Sequence, residues 1–141
     1  MTDLAQFDTR GGSNQGAEIE LKDPRDGKTG LGVFIKVMGP DSHKFREALL
    51  LGARKRREAF MRDNRNESTP QEIEEGQAEL FAALTLGWRD GDDPALQLDG
   101  ERVEFSEAAA RDFYLEYPRF RQQIDQFISS VANFMPRSGT T

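Results

Sequence analysis

The sequence predicts one α+β domain, mainly helical, with about four helices and small antiparallel β-hairpins. Helical spacing of apolar residues recurs in several segments, and alternating apolar and polar residues flank two turn sequences. A length of 141 residues suits a single domain. We expect a flexible N-terminal arm over residues 1–16, one globular domain over residues 17–135 and a disordered tail over residues 136–141.

The composition excludes several classes of function. A net charge of −6 argues against nucleic acid or an anionic membrane as the main partner. The absence of cysteine excludes disulfides, thiolate catalysis and sulfur-ligated metals. No apolar run approaches the ~18 residues of a membrane span, and no signal-peptide pattern opens the chain. We therefore expect a soluble protein of the cytoplasm.

A β-hairpin is predicted at the start of the domain. In AEIELK, Ile19 and Leu21 share one face, and in LGVFIKVM, Val33, Ile35 and Val37 point one way. The intervening DPRDGKTG has the composition of a turn.

Two helices are predicted to follow. Asp41 or Ser42 can cap the first, over residues 42–63, and Thr69-Pro70-Gln71-Glu72 is a capping box with proline at the first helical position of the second. The expected apolar stripes are Phe45, Leu49, Gly52, Ala53 and Phe60 in the first helix and Ile73, Leu80, Phe81 and Leu84 in the second.

The only tryptophan follows the second helix. We expect this helix to end at Gly87, since glycine readily adopts the left-handed conformation that closes many helices. A hydrophobic contact back onto the last turn commonly accompanies such an end. Trp88 is therefore predicted to cover the core beside residues 80–84 instead of lining a ligand site.

The last third of the domain predicts a second hairpin and two more helices. Asp99-Gly100 is typical of a two-residue type I′ turn and places Leu96, Leu98, Val103 and Phe105 on one face. Ser106 caps a short helix, and Pro118 opens the last one. The apolar stripe of the last helix is expected to continue for about four turns through Phe120, Ile124, Phe127, Ile128, Val131 and Phe134.

Three segments suggest chemistry that their context does not support. DGKTG lacks the first glycine of a phosphate-binding loop, since Lys22 stands there, and it precedes a predicted strand instead of a helix. The acidic loop from Asp90 to Glu101 departs from the calcium-loop pattern at Pro94 and Ala95. His43, the sole histidine, has no second histidine or cysteine with which to bind a metal. We expect no enzyme activity, no catalytic or metal site and no cofactor.

The strongest local charge feature is the basic run Arg54-Lys55-Arg56-Arg57 in the first long helix. One interpretation is pairing with the glutamates of the next helix, Glu72, Glu74, Glu75 and Glu79, across an antiparallel helix pair. The alternative is a docking surface for an acidic or polar protein partner. Either way, an exposed pair contributes less than about 1 kcal/mol.

The order of several motifs resembles the tail assembly chaperones of long-tailed bacteriophages. These motifs lie over roughly residues 18–135, and their order and spacing carry the resemblance more than any one of them does. They are the segment from Asp23 to Arg46 with its GPDS, the TPQEIE helix start, LTLGW at 84–88, LDGERVEFS, and ARDFYLEYPRFRQQIDQFISSVANF.

The resemblance implies a non-enzymatic protein of the host cell cytoplasm. Such chaperones bind the tape measure protein, help to recruit tail tube subunits, and are absent from the finished virion. The resemblance is to the short form of these proteins, and many members are also made in a longer, frameshifted form. Because the terminal apolar stripe is too long for one neighbouring helix to cover, we also expect weak homo-oligomers of the free protein. Alternatives are a structural tail component (tail tube, tail-completion or minor tail protein) and, more distantly, a host-type regulatory interaction domain. Mass spectrometry of purified virions separates the first two.

Partner-binding residues are expected in two places. One is the basic run, Arg54 to Arg57, and the other is the apolar stripe of the terminal helix, Phe120, Ile124, Phe127, Val131 and Phe134. We expect core packing for most of that stripe and a partner contact along its outer edge. Thr69, Pro70, Gly87, Trp88 and Pro118 are expected to be structural.

Overall fold

A computed structural model describes residues 1–135. Over this range the chain forms two antiparallel sheets and five α-helices, so the α+β class is confirmed and the expected number of four helices is one too low. The elements are α1 (Arg10–Gln15), β1 (Ala17–Lys22), β2 (Gly30–Val37), α2 (His43–Asp63), α3 (Pro70–Leu84), β3 (Thr85–Asp90), β4 (Ala95–Leu98), β5 (Glu101–Glu104), α4 (Glu107–Glu116) and α5 (Pro118–Ser129), with 3₁₀ helices at Leu4–Phe7 and Val131–Phe134. The predicted disordered tail, residues 136–141, lies outside the described residues.

The additional helix is α1, within the predicted flexible arm. Ser13 is buried, and its carbonyl and hydroxyl oxygens accept hydrogen bonds from the backbone N–H groups of Gly39 (2.9 Å) and Asp41 (3.2 Å). The side-chain oxygen of Asn14 accepts a hydrogen bond from the N–H of His43 at 3.0 Å. The glycines and asparagine of α1 have low helix propensity, so its sequence did not predict a helix that contacts the chain just before α2.

The first sheet has the order β1-β2-β3. Its first hairpin is confirmed, with Ile19 opposite Ile35, and β3 adds a third strand in which Trp88 lies opposite Ile35. The prediction of a glycine-capped end for α3 is wrong. This helix ends at Leu84, the next residue begins β3, and Gly87 lies inside the strand opposite Lys36.

A threonine explains the direct change from helix to strand. The Thr85 hydroxyl donates a hydrogen bond to the carbonyl of Phe81 at 2.7 Å, and it lies 2.7 Å from the hydroxyl of Tyr114 in α4. It therefore satisfies a carbonyl in the last turn of α3, and no glycine turn is needed. Burial raises the pKa of the Tyr114 phenol, which stays neutral.

The other predicted turn and helix starts are confirmed. Asp99 and Gly100 have φ values of 53° and 81° and connect β4 to β5 with Leu96 opposite Val103, as a type I′ turn requires. The side chains of Ser42, Thr69 and Ser106 cap α2, α3 and α4, and Pro118 is the first residue of α5. The terminal helix is shorter than predicted, because α5 ends at Ser129 and a separate 3₁₀ helix carries Phe134.

The core lies between the first sheet and α3, α4 and α5. Leu21, Ile35, Leu84, Tyr114 and Ile124 are among its largest fully buried side chains. Trp88 is only 5% exposed, and its indole makes edge-to-face contacts with Phe105 (5.4 Å) and Phe113 (5.8 Å between ring centroids). Its burial in the core agrees with the prediction, although the residue lies in a strand, and the predicted contact with residues 80–84 stays a prediction.

Removal of the Trp88 ring should destabilise the domain. We expect Trp88→Ala to lower the free energy of unfolding by about 3–5 kcal/mol, as a large-to-small core substitution. Trp88→Phe should cost only about 1 kcal/mol, because phenylalanine keeps much of the aromatic contact and removes an indole N–H that has no hydrogen-bond partner among residues 1–135. Urea unfolding monitored by circular dichroism measures both. Water-exposed tryptophan fluorescence in the native protein would contradict this assignment.

Candidate functional site

The longest helix of the described chain contributes nothing to the fully buried core. All 21 residues of α2 are exposed or half-buried, including the predicted apolar stripe. Leu50 is 63% exposed, and Leu49 and Leu51 are each 49% exposed. Three consecutive leucines on a helix cannot share one face, so this run is the sequence signal for an exposed apolar surface, which a single buried stripe does not predict.

Both ends of α2 are held by polar contacts. At its start, Ser42 caps the helix by accepting from the N–H of Phe45 (3.1 Å), and Asn14 of α1 accepts from the N–H of His43. Beyond its end, the Arg65 guanidinium forms a bidentate ion pair with Glu72 of α3 and lies 5.5 Å from the centre of the Phe60 ring. The helix is thereby positioned along α3 without burying any of its leucines.

A groove of about 1010 Å³ runs between α2 and α3 and reaches the start of α4. Its volume lies at the upper end of the roughly 300–1,000 Å³ typical of small-molecule pockets, and it is open along the surface. Its apolar lining comes from Ala48, Leu49, Leu51, Gly52, Ala59, Ile73, Gly76, Leu80, Ala82, Ala83 and Ala108. Such an open apolar groove suits a segment of another protein better than a metabolite.

The two walls of the groove carry different charges. On the α2 side the charged lining residues are Lys44, Glu47, Lys55 and Arg56, and on the opposite side they are Glu72, Glu75 and Glu79 of α3 with Glu107 and Arg111 of α4. Glu79 joins the walls through an ion pair with Lys55 (3.8 Å), and it also pairs with Arg111 (3.5 Å) on its own wall. The α2 wall is therefore mainly basic, and the α3–α4 wall is mainly acidic.

The structure divides the basic run that the sequence singled out. Lys55 and Arg56 line the groove, whereas Arg54 and Arg57 are exposed outside it. Lys55 pairs with Glu79, and within residues 1–135 the other three cations of the run form no ion pair. Of the α3 glutamates expected to complement the run, Glu72 pairs with Arg65 instead, and Glu74 pairs with Arg121.

The terminal stripe lies largely against the core. Ile124 and Phe134 are buried, Phe120 stacks on Phe113 with ring centroids 6.0 Å apart, and Phe127 contacts Phe134 edge-on at 5.6 Å. Phe134 also packs against Gly39, where an added Cβ would lie 2.7 Å from its ring. Among the predicted partner-binding residues of this stripe, only Val131 is exposed, at 45%.

The segments that suggested chemistry have structural roles. DGKTG lies in the turn between β1 and β2, where the Asp26 carboxylate accepts hydrogen bonds from the hydroxyl and N–H of Thr29. Asp93 of the acidic loop pairs with Arg102 at 2.8 Å.

Within residues 1–135, no group of three or more histidine, aspartate or glutamate side chains is placed to hold a metal ion. No helix in that range has both the length and the apolar character needed to cross a membrane.

Comparison with known protein families, with curated proteins and with solved structures finds no match to this chain. Because no similar protein indicates a function, we infer it from the groove between α2 and α3.

Glu72 lines the groove, and its contribution to the stability of the fold should fall at low pH. The Arg65 guanidinium, with help from the N–H of Thr69, lowers the pKa of Glu72 from its usual 4.5 to about 2. A lowered folded-state pKa means that this carboxylate stabilises the fold above pH 4.5 and that its contribution is lost as the pH falls towards 2. Carbon-detected NMR titration should find Glu72 ionised at pH 3.5, and Arg65→Gln should raise its pKa. An unchanged pKa in this variant would contradict the assigned cause.

Proposed function

We propose that the chain is a tail assembly chaperone of a long-tailed bacteriophage, which holds apolar helical segments of the tape measure protein in the groove between α2 and α3. The observation that carries the proposal is the exposure of α2. This 21-residue helix buries none of its leucines, and Leu49 and Leu51 line the same groove as Ile73, which is 53% exposed. An apolar surface left open by a folded domain is typical of a site that another protein covers.

The surroundings of the groove suit a protein that keeps an apolar client in solution. A holding chaperone needs apolar surface for the client and charge around it, because like charge on separate molecules opposes self-association. The groove has nine charged lining residues, and the whole chain carries a net charge of −6. The order of motifs from Asp23 to the terminal ARDFYLEYPRF segment supports the same family of phage proteins.

The remaining parts of the proposal follow from that resemblance. The chaperone recruits tail tube subunits to the tape measure protein in the host cytoplasm, works beside a longer frameshifted product or a second copy, and leaves before the virion is complete. Purified virions analysed by mass spectrometry should lack the chain. Detection in stoichiometric amounts would identify it as a structural tail component instead.

A co-expression experiment tests the proposal directly. An apolar helical fragment of the tape measure protein encoded beside this chain should gain solubility when the two are expressed together. Leu51→Ser should reduce the soluble fraction several-fold, because it removes an apolar contact inside the groove. The substitution should cost no more than about 1 kcal/mol of stability, since Leu51 is about half exposed.

The matched control is the adjacent residue. Leu50 lies on the same helix but outside the groove, so Leu50→Ser makes the same chemical change and should leave rescue intact. Equal rescue by both variants, or a fragment as insoluble with the chain as without it, would count against the proposal. Phe134→Ser is a poor probe of binding, because this buried ring should cost about 3–5 kcal/mol when truncated.

A further inference from the structure

The two walls of the groove differ in charge, and this difference can orient what binds. We propose that the groove receives an amphipathic helix with an acidic flank against α2 and a basic flank against the α3–α4 wall, so that the flanking charges decide the direction in which the helix lies. The inference rests on the proposed function and specifies the chemistry of the client.

The length of the lining sets the length of the bound segment. The α2 residues in the groove recur at helical spacing from Lys44 through Ala48, Leu51 and Lys55 to Ala59. The fifteen steps from Lys44 to Ala59, at about 1.5 Å each, span roughly 22 Å, or about four helical turns. A client helix of about 15 residues therefore fills the groove, with leucine-like side chains towards Leu51 and Ile73.

Charged side chains that form no ion pair within the described chain can distinguish between the two placements of a client helix. Within the described chain, Lys44, Arg56 and Glu47 line the α2 wall without an ion pair, so two cations outnumber one carboxylate there, and Glu107 is likewise without an ion pair on the opposite wall. Glu75, also on that wall, accepts a hydrogen bond from the side-chain amide of Gln71 at 3.1 Å and forms no ion pair within residues 1–135. An acidic flank meets the two cations and a basic flank meets the two glutamates. The reverse placement brings like charges together.

A helix that carries opposite charges on its two flanks has one favourable direction. Rotating it by half a turn about the normal to the groove reverses its direction and exchanges its flanks. The same side chains then face the wrong walls. Exchanging the flanking charges in the sequence of the client should therefore reverse its direction without changing its affinity.

The same charges disfavour a second copy of α2 as the occupant. That helix has seven basic and three acidic side chains, so it would present basic residues to Lys44 and Arg56. A client with one acidic flank avoids this repulsion. Charge complementarity thus selects a partner helix over self-insertion.

Designed peptides test the inference. Four peptides of about 15 residues share one leucine stripe and carry glutamate and lysine flanks, the same flanks exchanged, lysine on both flanks, or glutamate on both. Fluorescence anisotropy at 0.15 M salt should show both mixed peptides binding with equal affinity, and the uniform peptides about fivefold more weakly, as expected for exposed charge pairs. At 1 M salt, where screening is strong, the difference should shrink.

Direction is measured separately. Because the chain has no cysteine, Ser68→Cys offers a single labelling position at one end of the groove. A quencher there should quench a fluorophore on one terminus of the first mixed peptide and on the other terminus of the exchanged peptide. Quenching of the same terminus in both peptides would overturn the proposal.

Charge-reversal variants inside and outside the groove show which cations cause the preference for mixed peptides. Lys44→Glu with Arg56→Glu makes both walls acidic, so the lysine-flanked peptide should become the tightest binder. Arg54→Glu with Arg57→Glu changes the net charge equally but outside the groove, so the preference for mixed peptides should persist. The same loss of preference in both double variants would overturn the proposal, because it would mean that net charge and not the walls decides.

The remaining outcomes separate this inference from the proposed function. If all four peptides bind alike while Leu51→Ser still abolishes rescue of the tape measure fragment, the flank inference is wrong and the chaperone proposal stands. If no peptide binds and no rescue occurs, both are wrong. If sedimentation shows a dimer that Leu51→Ser disrupts and that peptides do not displace, the occupant is a second copy and the inference is overturned.

Discussion

The hydrogen-bonded junction at Thr85 connects the main layers of this domain. Its hydroxyl satisfies the carbonyl of Phe81 at the end of α3 and meets the Tyr114 hydroxyl of α4, while its backbone begins β3 opposite Val37. Because helix and strand meet without a loop, the position of α3 relative to the sheet is set within one residue. Trp88 is then carried into the core, where it packs against Phe105 and Phe113.

Within residues 1–135, the one side chain of α2 that packs against this core is the partly buried Phe45. Within residues 1–135, the first sheet, α3, α4 and α5 supply every buried hydrophobic side chain except those of Ala95, Leu96 and Phe134, and α2 supplies none. Contacts at its two ends, from Asn14 and Ser42 at the start and from Arg65 to Glu72 beyond its end, hold the helix over α3. The apolar groove results from this arrangement, because a helix held by its ends keeps its leucines available to a client.

Much of the local structure was predictable because local chemistry decides it. The Thr69 capping box, Pro118 at the start of α5 and the Asp99-Gly100 turn each satisfy backbone groups or φ requirements within a few residues. The candidate site was predictable only in part. The basic run is evident in the sequence, but which of its cations face the groove depends on where α3 lies. The terminal stripe lies mostly in the core.

By itself the sequence determined the α+β class, both hairpins, the starts of four helices and the burial of Trp88, since apolar period and capping residues act over short distances. Tertiary structure alone decided the rest. The contacts of Ser13 with Gly39 and Asp41 accompany a helix that propensity does not favour, and the Thr85–Tyr114 contact ends α3 before its glycine. Leu49 and Leu51 stay exposed because the other helices and strands form the buried core without them. A local sequence pattern does not show which elements will form that core.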